Sequence, residues 1–304
     1  MGAMSLFFEI GLRSLVPTVV ERDQLVNANS NLEFARSGAD VGGQGVGAGL
    51  IQIATAPIAL FFSAGAYLAS ALFFSRMRVD ESTSASDSES EHEGGFRSAI
   101  AGLKFIRDNR ILVGIAASHG TLNLFNVAIE AVAILSLVRE LEVPPAMLGV
   151  IFVIGSLSLI PAALAASRLP KTFGVGRTLL ITVGIIVLSD LVVPILAGPL
   201  WFIMVALLIH ESFLATGFIA FRVSQVSLRQ SITPASMQGR MNSLMIVTAR
   251  SAVPVGALLG GTIGEFIGLR EALFIAVIGE GTSAVWLIFY GVWRLREMPT
   301  PDAQ

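Results

Sequence analysis

Eight apolar runs, each about as long as a membrane-crossing helix, constrain this chain more than any other feature. They lie at 32–54, 56–76, 111–137, 146–167, 176–197, 200–221, 242–266 and 272–293. A hydrocarbon core of ~30 Å is crossed by about 20 helical residues. A shorter apolar run at 4–16 begins abruptly and reads as the tail of a further helix whose start is missing. The residue balance agrees, with 54% hydrophobic and 14% charged residues, whereas a soluble domain carries about 25% charged. The expected fold class is an all-α integral membrane protein of about eight transmembrane helices plus a partial N-terminal helix.

Several classes of function are excluded at once. A net charge of −2 leaves no basic face for nucleic acid. With no Cys there is no disulfide, thiolate metal site or cysteine nucleophile. His119 and His210 stand alone, and no second His follows His210 at helical spacing, so no metal site is expected. Neither a Gly-x-Ser-x-Gly elbow nor a phosphate-binding Gly-Lys-Ser/Thr loop occurs, which argues against an enzyme, against built-in ATP drive and against a cofactor. Residues 1–11 lack a basic start, and Glu9 interrupts their apolar run, so they do not read as a signal peptide.

One helix is used twice. The glycine-rich stretch 33–49 contains Ala35, Arg36 and Ser37, then Gly38, Asp40, Gly42, Gly43, Gly45 and Gly47. At an offset of 214 residues (250 − 36), Ala249, Arg250 and Ser251 recur, followed by Val255, Gly256, Gly260 and Gly261. A charged triplet repeated inside two hydrophobic spans indicates a duplicated membrane fold, and parallel repeats are a known transporter architecture.

The second and third spans are separated by residues 80–93, which are acidic, Ser-rich and nearly free of apolar side chains, too polar to bury a core. After them Phe96, Ile100, Leu103 and Ile106 fall at helical spacing and predict a short helix on the membrane surface. Counting loops alternately, sixteen Lys and Arg residues fall on one side and only Arg139 and Arg270 on the other. That bias places the acidic segment and the C-terminus in the cytoplasm, and the cell membrane is the expected location.

Three stretches resemble a known family. Residues 15–30 (Leu-Val-Pro-Thr-Val-Val-Glu-Arg-Asp-Gln-Leu-Val-Asn-Ala-Asn-Ser) are similar to the loop before the fifth helix of major facilitator superfamily exporters of the macrolide-efflux and enterobactin-exporter type. Residues 228–243 (Leu-Arg-Gln-Ser-Ile-Thr-Pro-Ala-Ser-Met-Gln-Gly-Arg-Met-Asn-Ser) resemble the matching loop before the eleventh. Residues 168–177, with Gly174 and Gly176, resemble a degenerate second copy of the family's basic loop motif. The resemblance covers helices five to twelve and the end of four, so the sequence looks like an N-terminally truncated member. It implies a major facilitator-type bundle divided as follows. Residues 1–78 are the last part of the first bundle, 79–109 the cytoplasmic linker and surface helix, 110–296 a six-helix second bundle, and 297–304 a cytoplasmic tail. In the place of the family's glycine-rich antiporter motif stand Val41 to Ala48, with Gln44 where proline is usual. Glycines survive there; the proline kink does not.

A charge deep in a span costs about 2.5–3.5 kcal/mol on insertion scales and therefore usually faces a cavity or a partner. Glu130 is midway along its span, and Asn123 and Asn126 share its helical face. These three are the best candidates for a proton-coupling site in a central cavity, with Asp40 weaker because Arg36 lies one turn earlier. Gly38, Gly42, Gly43, Gly45, Gly47, Gly256, Gly260 and Gly261 read as a helix-packing motif. Arg36, Arg250 and Arg240 are candidates for a cytoplasmic gate. Asp190 and Glu280 are expected nearer helix ends, where snorkelling makes them harmless. The expected partners are the lipid bilayer, a small-molecule substrate and protons. By resemblance the function is proton-driven export of small amphipathic molecules by alternating access; the other reading is a truncated or accessory membrane protein without transport of its own.

Overall fold

The computed structural model describes residues 16, 20, 24–36, 38–39, 95–144 and 147–299, apart from 149, 152–153 and 156–157. The runs expected at 4–16 and 56–76, most of that at 32–54, and the acidic segment 80–93 lie outside the described residues. All regular structure among the described residues is helical. It comprises α1 (25–36), α2 (Gly95–Asp108), α3 (Arg110–Arg139), α4 (Leu159–Phe173), α5 (Val175–Asp190), α6 (Val192–Ile195), α7 (Leu200–Ile232), α8 (Gln238–Phe266), α9 (Leu269–Gly281) and α10 (Ser283–Phe289). Described residues between 147 and 155 are also helical and lead towards α4.

Five of these stretches are long and apolar enough to cross a membrane: Arg110–Arg139, Val175–Ile195, Leu200–Ile232, Gln238–Phe266 and Leu269–Phe289. Helix α3 shows how the sequence sets its ends. The Asn109 side chain accepts hydrogen bonds from the backbone N–H of Ile111 (3.0 Å) and Leu112 (3.1 Å), satisfying two donors of the first turn. Arg139 occupies the last turn, where a cation complements the helix dipole. At 1.5 Å per residue α3 is roughly 45 Å long, more than the hydrocarbon core requires.

Helix α7 runs eleven residues beyond the expected end at 221 and takes up the first five residues of the loop expected at 228–243. Its last third is polar, yet Ser224, Gln225, Ser227, Arg229, Gln230 and Ser231 are all buried. Neighbouring chain meets part of this polarity: Arg229 Nη2 donates to Asn242 Oδ1 (2.8 Å), and Gln238 Nε2 donates to the carbonyls of Gln230 (2.9 Å) and Thr233 (2.8 Å). With partners supplied by the protein, the helix has no reason to unwind towards water.

Packing follows backbone proximity. Gly256 and Gly260 of α8 lie one turn apart against α3. A Cβ on either would strike main chain, the carbonyl oxygen of Leu124 at Gly256 and that of Ala128 at Gly260. Small residues at this spacing let two helices close to backbone contact. Gly176, at the start of α5, is seated against the backbone of Val292 and Trp293, and its N–H donates to Leu295 O (3.0 Å). Two apolar clusters fill the interior. One contains Leu122, Leu179, Ile186, Phe221 and Leu287; the other contains Ala128, Ile151, Val193, Leu207 and Val277. Large apolar side chains such as Leu188, Trp201, Phe213, Leu258, Phe266 and Phe289 point outward. An apolar exterior over a partly polar interior is what a lipid solvent selects.

The surface helix expected after residue 95 is α2. It docks on α8 through Gly102, which faces Leu244 and Arg240, while Ile106 enters the apolar interior. The run expected at 272–293 is α9 followed by α10, with the break at Thr282, whose hydroxyl donates back to Gly279 O.

Because Ala128 backbone blocks any side chain at position 260, Gly260→Leu must push α8 off α3. We expect a loss of about 1–3 kcal/mol, read as a clear drop in melting temperature of the purified protein. Gly261→Leu, where an added Cβ meets nothing within 4 Å, is expected to melt like the parent. Equal melting of the two variants would show the seam is not tight.

Candidate functional site

The basic residues gather at the two ends of the bundle unequally. Arg110, Arg177, Arg229, Arg240, Arg294 and Arg296 flank the ends of α3, α5, α7, α8 and α10 that lie together, whereas Arg139 and Arg270 mark the opposite end. At the basic end the first half of the chain touches the second. Glu33 of α1 pairs with Arg222 of α7, Oε1 to Nη1 at 3.2 Å, with the Glu33 side chain 11% exposed. One turn back, Asn29 Nδ2 donates to Gln230 Oε1 (2.7 Å) and Ser227 Oγ (3.0 Å). Val26 packs with Ala162, Ala166 and Val223 behind these bonds. The contact is a polar latch backed by small apolar side chains.

Away from the latch, α3 presents an open face. Glu130 is exposed there, and Asn126 and Asn123 on the same face are half-buried. The amide of Asn123 is turned onto its own helix, donating to His119 O (2.8 Å). The His119 ring stacks on Phe221, centroids 6.3 Å apart. Glu211 of α7 lies close enough to Glu130 for the two carboxylates to repel each other. Gly155 gives Glu211 its room: a Cβ there would come within 2.9 Å of Glu211 Cβ. Carboxylates on α3 and α7 thus lie near enough to interact, with no Lys or Arg in an ion pair with either among the described residues.

The remaining sequence candidates are dispersed. Asp40, Gly42, Gly43, Gly45 and Gly47 lie outside the described residues. Gly38 and Gly261 have nothing within 4 Å of an added Cβ, while Gly256 and Gly260 form the seam on α3. Arg36 is half-buried and Arg250 is exposed on α8. Arg240 directs its guanidinium at Met237 Sδ (3.8 Å) and packs beside Gly102.

Two carboxyls stand elsewhere than expected. Asp190 and Glu280 are 1% and 0% exposed, inside the second bundle rather than at snorkelling helix ends. The break at Thr282 falls within a continuous span, so proximity to a helix end does not bring Glu280 to the surface. Sequence reasoning also missed Asn29, Glu33 and Arg222. Opposite charges near the same end of two spans were the available signal, but nothing local pairs residues 189 positions apart (222 − 33).

If the latch holds two bodies together, its halves are energetically coupled. Glu33→Gln and Arg222→Gln are each expected to weaken it, and a double-mutant cycle should return a coupling of roughly 1 kcal/mol, measured by thermal unfolding in lipid nanodiscs. Additive single effects would dissolve the pair.

The comparisons with known proteins agree with this architecture. A crystal structure of a bacterial homologue of the iron transporter ferroportin, in an outward-facing state, superimposes with a TM-score of 0.66 at 17% identity, covering 94% of this chain and 69% of that one. At that identity the likeness concerns the fold. No curated protein matches the sequence significantly. The family model described as MFS_1 like family matches residues 43–275, more than half of the chain. The chain is therefore a multi-pass, all-α membrane transporter protein belonging to the MFS_1-like family.

Proposed function

We propose that this protein exports small amphipathic molecules by alternating access, driven by protons entering through Glu130. The observation that carries the reading is the division of labour between its two polar regions. A latch of Glu33–Arg222 and Asn29–Gln230 joins the halves at the basic end, and unpaired carboxylates face an open space away from it. Opening and closing the latch exposes that space to opposite sides in turn. A proton on Glu130 relieves its repulsion with Glu211, and so favours whichever state holds the two acids in the less solvated surroundings. Coupling extends only as far as that difference in proton affinity between states. The domain division follows the same logic: residues up to 78 and residues 110–296 supply the two bodies, and the polar composition of the acidic segment suits a tether between them. The basic end, the acidic segment and the C-terminus face the cytoplasm, and the protein resides in the cell membrane.

Glu130→Gln keeps the size and hydrogen bonding of the side chain but cannot carry a proton. Export of a fluorescent amphipathic cation from vesicles under an imposed pH gradient is expected to fall more than tenfold, with insertion and melting unchanged. Parental export in this variant would remove Glu130 from the mechanism. Because the chain has no Cys, orientation can be read against no background. A cysteine introduced at Ser88 should react with an impermeant maleimide only after the cytoplasmic face is exposed; reaction in intact cells would invert the topology.

A further inference from the structure

Among the packed helices of the second half lies a group of buried polar side chains to which nothing above assigns a role. Asp190 of α5 and Glu280 of α9 are within hydrogen-bonding reach of each other. Asp190 Oδ2 and both Glu280 carboxyl oxygens are buried, and no protein donor reaches them. His210 of α7, 5% exposed, completes the group: its Nδ1 bonds to Ser189 O (2.8 Å), and its Nε2 lies 3.9 Å from Asp190 Oδ1. A carbonyl only accepts, so Nδ1 carries the hydrogen and Nε2 is turned to the acid.

The surroundings deepen the imbalance. The titratable groups facing the pair are His210 and Glu211 from α7 and Glu130 from α3. Helices α6 and α10 carry no titratable group, Arg168 and Lys171 of α4 lie towards the basic end, and Arg250 and Glu265 of α8 are exposed. Two ionised carboxylates side by side in such a place would repel strongly and lack hydrogen-bond donors. A divalent ion does not resolve the conflict: Ca2+ and Mg2+ need six or more oxygen ligands, and no group of three His, Asp or Glu placed to hold a metal occurs among the described residues.

We propose that Asp190 and Glu280 form a buried proton-binding site inside the second bundle, the two carboxyls sharing one proton that bridges α5 to α9. One acid donates through that proton and the other accepts, so both gain a partner and one charge is removed. His210 Nε2, the nearest basic atom, is the group through which the proton exchanges towards Glu211 and the open face. The site does not depend on what the protein exports.

Infrared difference spectroscopy of the full chain in lipid nanodiscs at neutral pH tests this directly. The parent spectrum is expected to contain the C=O stretch of a protonated carboxyl that is missing from Glu280→Gln and from Asp190→Asn. The band should be unaffected when choline replaces sodium in the buffer, a comparison on the parent alone that needs no variant to fold. His210→Phe should leave the band but slow its isotope shift in heavy water several-fold. Absence of a protonated-carboxyl band from the parent, or a band that emerges only after sodium is withdrawn, would overturn the proposal, the second by making a cation the occupant. Survival of the band in both acid variants would equally overturn it, and an isotope shift of parental speed in His210→Phe would remove His210 from the exchange route.

Discussion

Inside a hydrocarbon layer a polar atom has no water to fall back on, and the arrangement of this protein follows from that one shortage. Backbone groups solve it by forming helices, which satisfy their own N–H and C=O groups. Side chains solve it by turning inward. The polar third of α7 would be a surface in a soluble protein; here it is interior, with Arg229, Gln230 and Gln238 bonding to neighbouring chain. The exterior is left to Trp201, Phe213 and Leu258, which need nothing from the solvent. Stability in this setting comes from close contact rather than from expelling water, because lipid tails are as apolar as leucine. That is why the Gly256–Gly260 seam matters: it brings α8 to the main chain of α3, where many weak dispersion contacts add up.

The same shortage separates the acids into two kinds. Glu130 is exposed and Glu211 half-buried. Asp190 and Glu280 are enclosed, and they answer the problem with each other. The latch between α1 and α7 belongs to neither kind. Glu33 and Arg222 meet at the margin of the bundle, where the pair retains some contact with water and can part at modest cost. A transporter needs interactions of that middling strength between its moving bodies, since a fully buried ion pair would be hard to open.

Much of the fold was legible in the sequence because the signal is one-dimensional. A run such as 111–137 declares a span by length alone, and α3 covers it with two further residues at its far end. Asn109 before that run and Gly174 before the run at 176–197 are local punctuation readable without a fold. The C-terminal end of α7 was not legible: the run of Ser, Gln and Arg after Phe221 looks like a loop until its partners on α8 are known. The glycine repeat was legible as a pattern but not in register, for Gly256 and Gly260 face α3 while Gly261, one residue on, faces away. The site divided in the same way. Glu130 announces itself as a charge within an apolar run. Asp190, His210 and Glu280 lie on three helices, and only folding brings them into one pocket.

The contact between Gly176 and the segment after α10 bears on how the molecule is made. Val292, Trp293 and Leu295 fill the notch at the foot of α5, yet they are translated more than a hundred residues later. Until that segment has left the ribosome, the base of α5 is uncapped and the N–H of Gly176 is unanswered. Closing of this joint therefore waits on synthesis of the segment after α10, and quality control that senses exposed polar backbone has an opportunity in that interval.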